Sequence, residues 1–139
     1  MSYVLDSWAV MAWLMGVEPA RRYVRGLLEK AATGRIELWM NMINVGEIFY
    51  LLLKRNQRDQ AEQLIKDIGT SLPIKTVLPD REFILEAARL KGQYAISYAD
   101  AFAAITAIRF DSPLVTGDPE FQVVSGLRMN WIGAPPKAV

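Results

Sequence analysis

Tyr3-Val4-Leu5-Asp6-Ser7 is the stretch that decides the fold. Its three β-type residues read as a strand stopped by an acid and a hydroxyl, and Ser7 to Met15 then reads as a short helix. The same alternation runs down the chain. After Gly16, Glu18-Pro19 opens a helix that reaches about Ala32 and closes at Gly34, and Ile36 to Met40 is a second strand. Asn44 starts a helix with apolar Ile48, Leu51 and Leu52, ending near Arg55-Asn56. Arg58 to Ile68 carries Ala61, Leu64, Ile65 and Ile68 on one stripe, as an amphipathic helix does. Pro73 to Leu78 is a third strand, Asp80 to Lys91 a helix capped by Asp80, and Ser97 to Arg109 an Ala-rich helix. Leu114 to Thr116 and Met129 to Ile132 complete five strands, before a terminating Gly133-Ala134-Pro135-Pro136. Short strands alternating with helices predict an α/β fold on a mainly parallel sheet. No repeat, low-complexity segment or internal linker interrupts residues 1–139, so a single domain is expected.

Composition narrows the chemistry. With 52% hydrophobic and 22% charged residues among 139, the chain can bury a sizeable core. Sixteen Lys and Arg against 15 Asp and Glu give a net charge of +1, which argues against a binder of nucleic acid by charge alone. Cysteine and histidine are both absent. That excludes disulfides, thiol nucleophiles, zinc–thiolate and Fe–S sites, and equally an imidazole base or a Ser-His-Asp triad. Any catalysis must rest on carboxylates, hydroxyls, lysines or a hard metal ion. The apolar Met1–Met15 run lacks a basic n-region and is broken by Asp6, so it does not read as a signal peptide. No apolar run approaches the roughly 18 residues of a transmembrane helix, and the cytoplasm is the expected location.

Four acids stand at element junctions: Asp6 after the first strand, Glu47 and Asp100 in first helical turns, and Asp118 after the fourth strand. In an open parallel sheet the carboxyl ends of strands share one edge with the following helix N-termini, and ligands bind there. Each acid alone has an ordinary structural role. Asp6 and Asp118 suit N-caps, and Asn44 with Glu47, or Ser97 with Asp100, has capping-box spacing. Glu47, however, lies in line with Ile43 and Leu51, and Asp100 with Ile96, Ala103, Ala104 and Ala107. Carboxylates on apolar faces must be paired, protonated or metal-bound, and no Lys or Arg stands at a neighbouring helical position. Oxygen-only ligands select Mg²⁺ or Mn²⁺, ions suited to phosphoryl chemistry, whereas the spacing of an EF-hand is missing. With the four acids neutralised the remaining surface is net positive, which suits a polyanionic substrate.

Val4-Leu5-Asp6-Ser7, the Glu47 helix, Tyr98-Ala99-Asp100-Ala101 and Leu114-Val115-Thr116-Gly117-Asp118-Pro119-Glu120-Phe121 together resemble the PIN-domain family over essentially the whole chain. Within that family the chain looks most like the single-domain bacterial and archaeal members, the VapC-like toxins of type II toxin–antitoxin modules. The resemblance implies a three-layer α/β/α sandwich and a Mg²⁺- or Mn²⁺-dependent endoribonuclease that cuts structured RNA such as tRNA or rRNA. It makes Asp6, Glu47, Asp100 and Asp118 the catalytic, metal-binding acids, with Ser7, Asn44 and Thr116 in support. It also implies a homodimer and a cognate antitoxin. Hydrolysis by an activated water would leave a 5′-phosphate and a 3′-hydroxyl. Arg21, Arg22, Arg25, Lys54, Arg55 and Arg58 are candidates for the RNA backbone, each with a solvated helix face as its ordinary role. Trp8, Trp13, Phe49 and Tyr50 suit core or dimer packing and, alternatively, base stacking or antitoxin binding. The first helix with the Asn44 helix offers an apolar dimer surface. The competing readings are a non-catalytic PIN-like binding module and a processing nuclease outside a toxin–antitoxin system. Receiver and haloacid-dehalogenase patterns do not fit, because Asp6 is followed by Ser7-Trp8 rather than a second acid.

Overall fold

A computed structural model describes residues 1–133. Its elements are β1 (Ser2–Leu5), α1 (Ser7–Met15), α2 (Ala20–Ala32), β2 (Glu37–Asn41), α3 (Met42–Lys54) and α4 (Arg58–Asp67). β3 (Ile74–Val77), α5 (Arg81–Gln93), α6 (Tyr98–Arg109), β4 (Leu114–Thr116), a 3-10 helix (Pro119–Val123) and β5 (Met129–Trp131) follow. The expected terminator at Ala134-Pro135-Pro136 lies outside the described residues. No helix among the described residues is long and apolar enough to cross a membrane.

The five strands form one sheet in the order β3-β2-β1-β4-β5, and every pair is parallel. Alternation along the strands sends successive side chains to opposite faces. Leu5, Leu38, Met40 and Val115 pack against α1–α4 on one face, while Val4 and Leu114 meet α6 and Phe121 on the other. The result is a three-layer α/β/α sandwich. Phe121, Leu5, Leu38, Met40 and Ile48 are its largest fully buried side chains, and each is worth about 1.5–3 kcal/mol by apolar burial.

The small residues of α6 explain its closeness to the sheet. Ala101, Ala103, Ala104 and Ala107 are buried together, and the helix packs on β1, β2 and β4. Thr106 is tied in as well, accepting a 3.2 Å hydrogen bond from Asn41 at the end of β2. Order 3-2-1-4-5 reverses direction between β1 and β4. That topological switch point opens a crevice at the carboxyl ends of these two strands. Asp6 follows one of them directly, and Asp118 comes two residues after the other.

One junction differs from the sequence reading. β2 runs into α3 without a loop, and the N-cap is Asn41, whose side-chain oxygen accepts from Ile43 N at 2.9 Å. Asn44 lies inside the helix, fully buried, so it does not cap. Elsewhere the caps are those expected: Asp6, Asp80, Ser97 and Asp118 each accept a backbone N–H in the following turn.

Candidate active site

Asp6 leaves β1 at the switch point and is completely buried. One carboxylate oxygen accepts from Ala9 N at 2.8 Å, the other from the Thr116 hydroxyl at 2.5 Å. Thr116 in turn accepts from Asp118 N at 3.0 Å. The ends of β1 and β4 are thereby joined through one hydroxyl, which fixes Asp118 relative to Asp6. Asp118 also accepts from Glu120 N at 3.0 Å, closing the first turn of the 3-10 helix.

Asp100 enters from the other side, in the first turn of α6, and is almost wholly buried. Its backbone N–H donates to Ser97 Oγ at 3.1 Å, but the reciprocal half of the expected capping box is absent: Ser97 N donates to Glu120 instead. The Asp100 carboxyl is hydrogen-bonded to Glu120 rather than to its own cap. Carboxylate oxygens of Asp100, Asp118 and Glu120 lie within 4.8 Å of one another. Glu47, from α3, accepts a short hydrogen bond from Ser7 Oγ. It is half-buried at the rim of the same cleft rather than on the buried stripe of its helix, which is formed by Asn44, Val45, Ile48 and Leu52. Among the described residues Asn44 forms no hydrogen bond to an acid side chain. Its amide nitrogen donates to the Ala99 carbonyl at 3.0 Å, tying α3 to the turn that carries Asp100, while its buried oxygen has no partner.

Electrostatics describe a site short of positive charge. Burial pushes the Asp6 carboxyl up to about 7, against the two hydrogen bonds it accepts and helped by the negative charges of Asp118 and Glu47. Burial, the Glu120 hydrogen bond and the charges of Asp118 and Asp6 push Asp100 up to about 9. Glu120, the more exposed partner, is held below the usual carboxylate range by the same hydrogen bond. These mutual influences place all five acids in one electrostatic unit. Hard oxygen donors gathered in excess of the nearby cations, Arg55 and Lys91, are the donor set that a Mg²⁺- or Mn²⁺-type ion fits.

Glu120 is the residue missed by sequence reasoning. Its signal was the Asp118-Pro119-Glu120 spacing, but an acid in a first turn reads as compensation of the helix dipole.

Above the acids opens a cleft of about 580 Å³. Glu47, Asp100, Asp118 and Glu120 line it with Trp8, Met11, Met15, Val17 and Leu51, and with Arg55 at its edge. The partly exposed apolar side chains of α1 divide between this cleft, which takes Trp8, Met11 and Met15, and the surface outside it, which takes Trp13 and Leu14. Gly117 is where the cleft is pinned together. A Cβ there would sit 2.3 Å from the Trp8 ring, and a Cβ at Gly133 would sit 2.9 Å from the Gly117 backbone. Gly117→Ala must therefore displace the indole or the Thr116–Asp118 turn. A loss of about 1–3 kcal/mol is expected, read as a lower midpoint in thermal unfolding; an unchanged midpoint would contradict this packing.

The sequence model of the PIN domain family matches residues 3–127. No curated protein sequence matches the chain. Among solved structures, the chain is similar to VapBC2 from Rickettsia felis bound to a promoter DNA fragment, with a TM-score of 0.71 and 16% identity over 95% of this chain and 99% of that one. It is also similar to VapC20 of Mycobacterium tuberculosis, a toxin that cleaves the sarcin-ricin loop (TM-score 0.70, 14% identity, 90% and 95% covered). VapBC-1 from nontypeable Haemophilus influenzae is similar at TM-score 0.67 and 21% identity, with 94% and 98% covered. At these identities the likeness is one of fold.

Proposed function

The chain belongs to the PIN-domain family, and we propose that its residues 1–139 form one domain acting as a divalent-metal-dependent endoribonuclease, the toxin of a cytoplasmic type II toxin–antitoxin pair. The observation that carries this reading is the convergence of Asp100, Asp118 and Glu120 within 4.8 Å at the mouth of the switch-point crevice, above buried Asp6 and beside Glu47. Asp6, Glu47, Asp100 and Asp118 would hold Mg²⁺ or Mn²⁺, with Glu120 as a fifth acid. Once bound, such an ion lowers the pKa of an attacking water and offsets charge on the phosphate oxygens.

The chain's own residues do the rest. Thr116 and Ala9 orient the Asp6 carboxylate through both oxygens. Ser7 orients Glu47, and Asn44 holds the turn bearing Asp100 against α3. Without histidine, a carboxylate takes the proton of the attacking water. Glu120 is the acid best placed for that, as the most exposed member of the cluster it forms with Asp100 and Asp118.

Structured RNA such as tRNA or rRNA is the substrate class we favour, by analogy with the sarcin-ricin loop cut by the similar VapC20 toxin. An antitoxin partner is proposed from the likeness to VapBC structures. For the homodimer, partly exposed Trp13 and Leu14 of α1 with exposed Ile43 and Tyr50 of α3 are the apolar surface we favour.

The test is cleavage of RNA with Mg²⁺ or Mn²⁺, then with EDTA. Chelation is expected to abolish cutting and added Mn²⁺ to restore it, with 5′-phosphate and 3′-hydroxyl ends. Cleavage that survives EDTA, or a 2′,3′-cyclic phosphate, would refute the scheme.

A further inference from the structure

The acids have a rear side as well as a mouth, and the turn from α5 into α6 forms it. Residues 94–97 make that turn, and it is tied down at both ends. Ile96 is 3% exposed and packs with Phe83, Phe102 and Val124. Ser97 caps α6, its Oγ accepting from Asp100 N at 3.1 Å. The Tyr94 hydroxyl accepts from Ser125 N at 3.3 Å, which joins the turn to the loop after the 3-10 helix. The peptide plane between Ile96 and Ser97 is therefore held from both sides.

Both polar ends of that one peptide are engaged. Its oxygen, the Ile96 carbonyl, accepts from Lys91 Nζ at 2.9 Å. Its N–H, that of Ser97, donates to Glu120 Oε2 at 3.4 Å. A single amide group thus connects an ammonium at one end with a member of the acid cluster at the other. A lysine in the last turn of a helix ordinarily offsets the helix dipole and bonds the last free carbonyls. That role does not account for Lys91, because α5 ends at Gln93 and the carbonyl Lys91 reaches lies three residues further on.

At 3.4 Å the bond to Glu120 is long for N–H···O, so its strength depends on how the amide is polarised. Hydrogen bonds in a chain strengthen one another, and a cation on the carbonyl oxygen makes the N–H of the same amide a better donor. Charge acts in the same sense. Glu120 is held below the usual carboxylate range first by the Asp100 hydrogen bond, then by the Ser97 N–H and the charge of Lys91. The bond between Asp100 and Glu120 needs a proton shared by two carboxyls, whereas the Ser97 N–H holds Glu120 without one.

We propose that Lys91 is a positioning residue of the acid cluster, holding the Glu120 carboxylate towards Asp100 and Asp118 through the Ile96–Ser97 peptide. It touches neither metal nor RNA and acts on Glu120 alone. Its effect on cutting rests on the nuclease reading, but its effect on the peptide does not.

Three variants of the full chain test this. Lys91→Met removes the donor, and Lys91→Arg keeps a cation able to reach a carbonyl. Arg89→Met removes a charge from the same helix that acts on Glu86 instead. Amide hydrogen exchange in the metal-free protein reads the bridge directly. Ser97 N–H should exchange about threefold faster in Lys91→Met, while Asp100 N–H, which reports the cap, keeps its wild-type rate. Calorimetry with Mn²⁺ gives Kd, and cleavage at saturating Mn²⁺ gives kcat and KM. In Lys91→Met, Kd should rise and kcat fall about tenfold, the scale for a residue that orients a metal ligand through another group, with KM for RNA unchanged. Lys91→Arg should recover most of both, and Arg89→Met should match wild type.

Lys91 is exposed, so Lys91→Met is expected to fold. If that variant keeps wild-type Ser97 exchange, Kd and kcat and only unfolds at a lower temperature, Lys91 serves the end of α5 and the proposal is wrong. An equal loss in Arg89→Met would make the effect one of net charge and overturn it too. A wild type that neither binds Mn²⁺ nor cuts RNA would bring down the metal-nuclease reading. Ser97 exchange then decides the bridge, which stands if Lys91→Met speeds it and falls if the rate is unchanged.

Discussion

Asp100→Asn is expected to reduce RNA cleavage by at least about a hundredfold, the scale of losing one charged group from a preorganised site, while the unfolding midpoint at pH 8 stays unchanged or rises. The two halves of this result have separate causes. Asparagine removes a negative ligand, so a divalent ion is held less tightly. Its amide can still donate to Glu120, the hydrogen bond that Asp100 makes now. It also relieves the crowding of charge that, with burial, pushes Asp100 up to about 9. A carboxylate retained only for stability would behave in the opposite way, lowering the midpoint and sparing the activity. Rates and midpoints measured on the same preparation separate the two.

Removing metal should make stability depend steeply on pH. Asp6 ordinarily titrates near 3.8 and is raised to about 7, and Asp100 is raised from the same value to about 9. A carboxyl with a raised folded-state pKa binds its proton more tightly when folded than when unfolded. Its contribution is therefore full below about pH 4 and is lost progressively as pH climbs through 7 and 9. The metal-free protein should unfold at a lower temperature at pH 8.5 than at pH 5.5, a difference on the order of 10 °C for a few kcal/mol in a chain of this size. Because protons and cations compete for the same oxygens, Mn²⁺ should raise the midpoint more at pH 8.5 than at pH 5.5. A midpoint that rises with pH in EDTA would mean that the acids are compensated within the chain.

These results bear on what the sequence made legible. Asp6 and Asp118 could be found because each interrupts a short apolar strand at its carboxyl end, and parallel strands put those ends on one edge. Asp100 could be found because nothing else on its Ala-rich face is charged. Asn44 reads as a cap in the sequence for a local reason. Asn41 and Asn44 are one helical turn apart with the same capping chemistry, and only the absence of a loop after β2 makes Asn41 the cap. The spacing of Glu47 from Ile43 and Leu51 predicts a place on the buried stripe, but Ile43 is 40% exposed and the stripe lies a step away, at Asn44 and Ile48. The seating of Trp8 on Gly117 and the bond from Thr116 to Asp6 join residues more than a hundred positions apart. Periodicity carries no information about such contacts. They arise where β4 comes to lie beside β1.

The most direct test of the whole account is anomalous diffraction from crystals of the full chain grown or soaked with Mn²⁺ near pH 8. A peak within about 2.5 Å of carboxylate oxygens from Asp100 and Asp118, above Asp6 and facing Glu47, is the predicted result. Crystals that show Mn²⁺ only on surface acids such as Glu29 or Glu62, with the switch-point crevice empty at saturating metal, would contradict it.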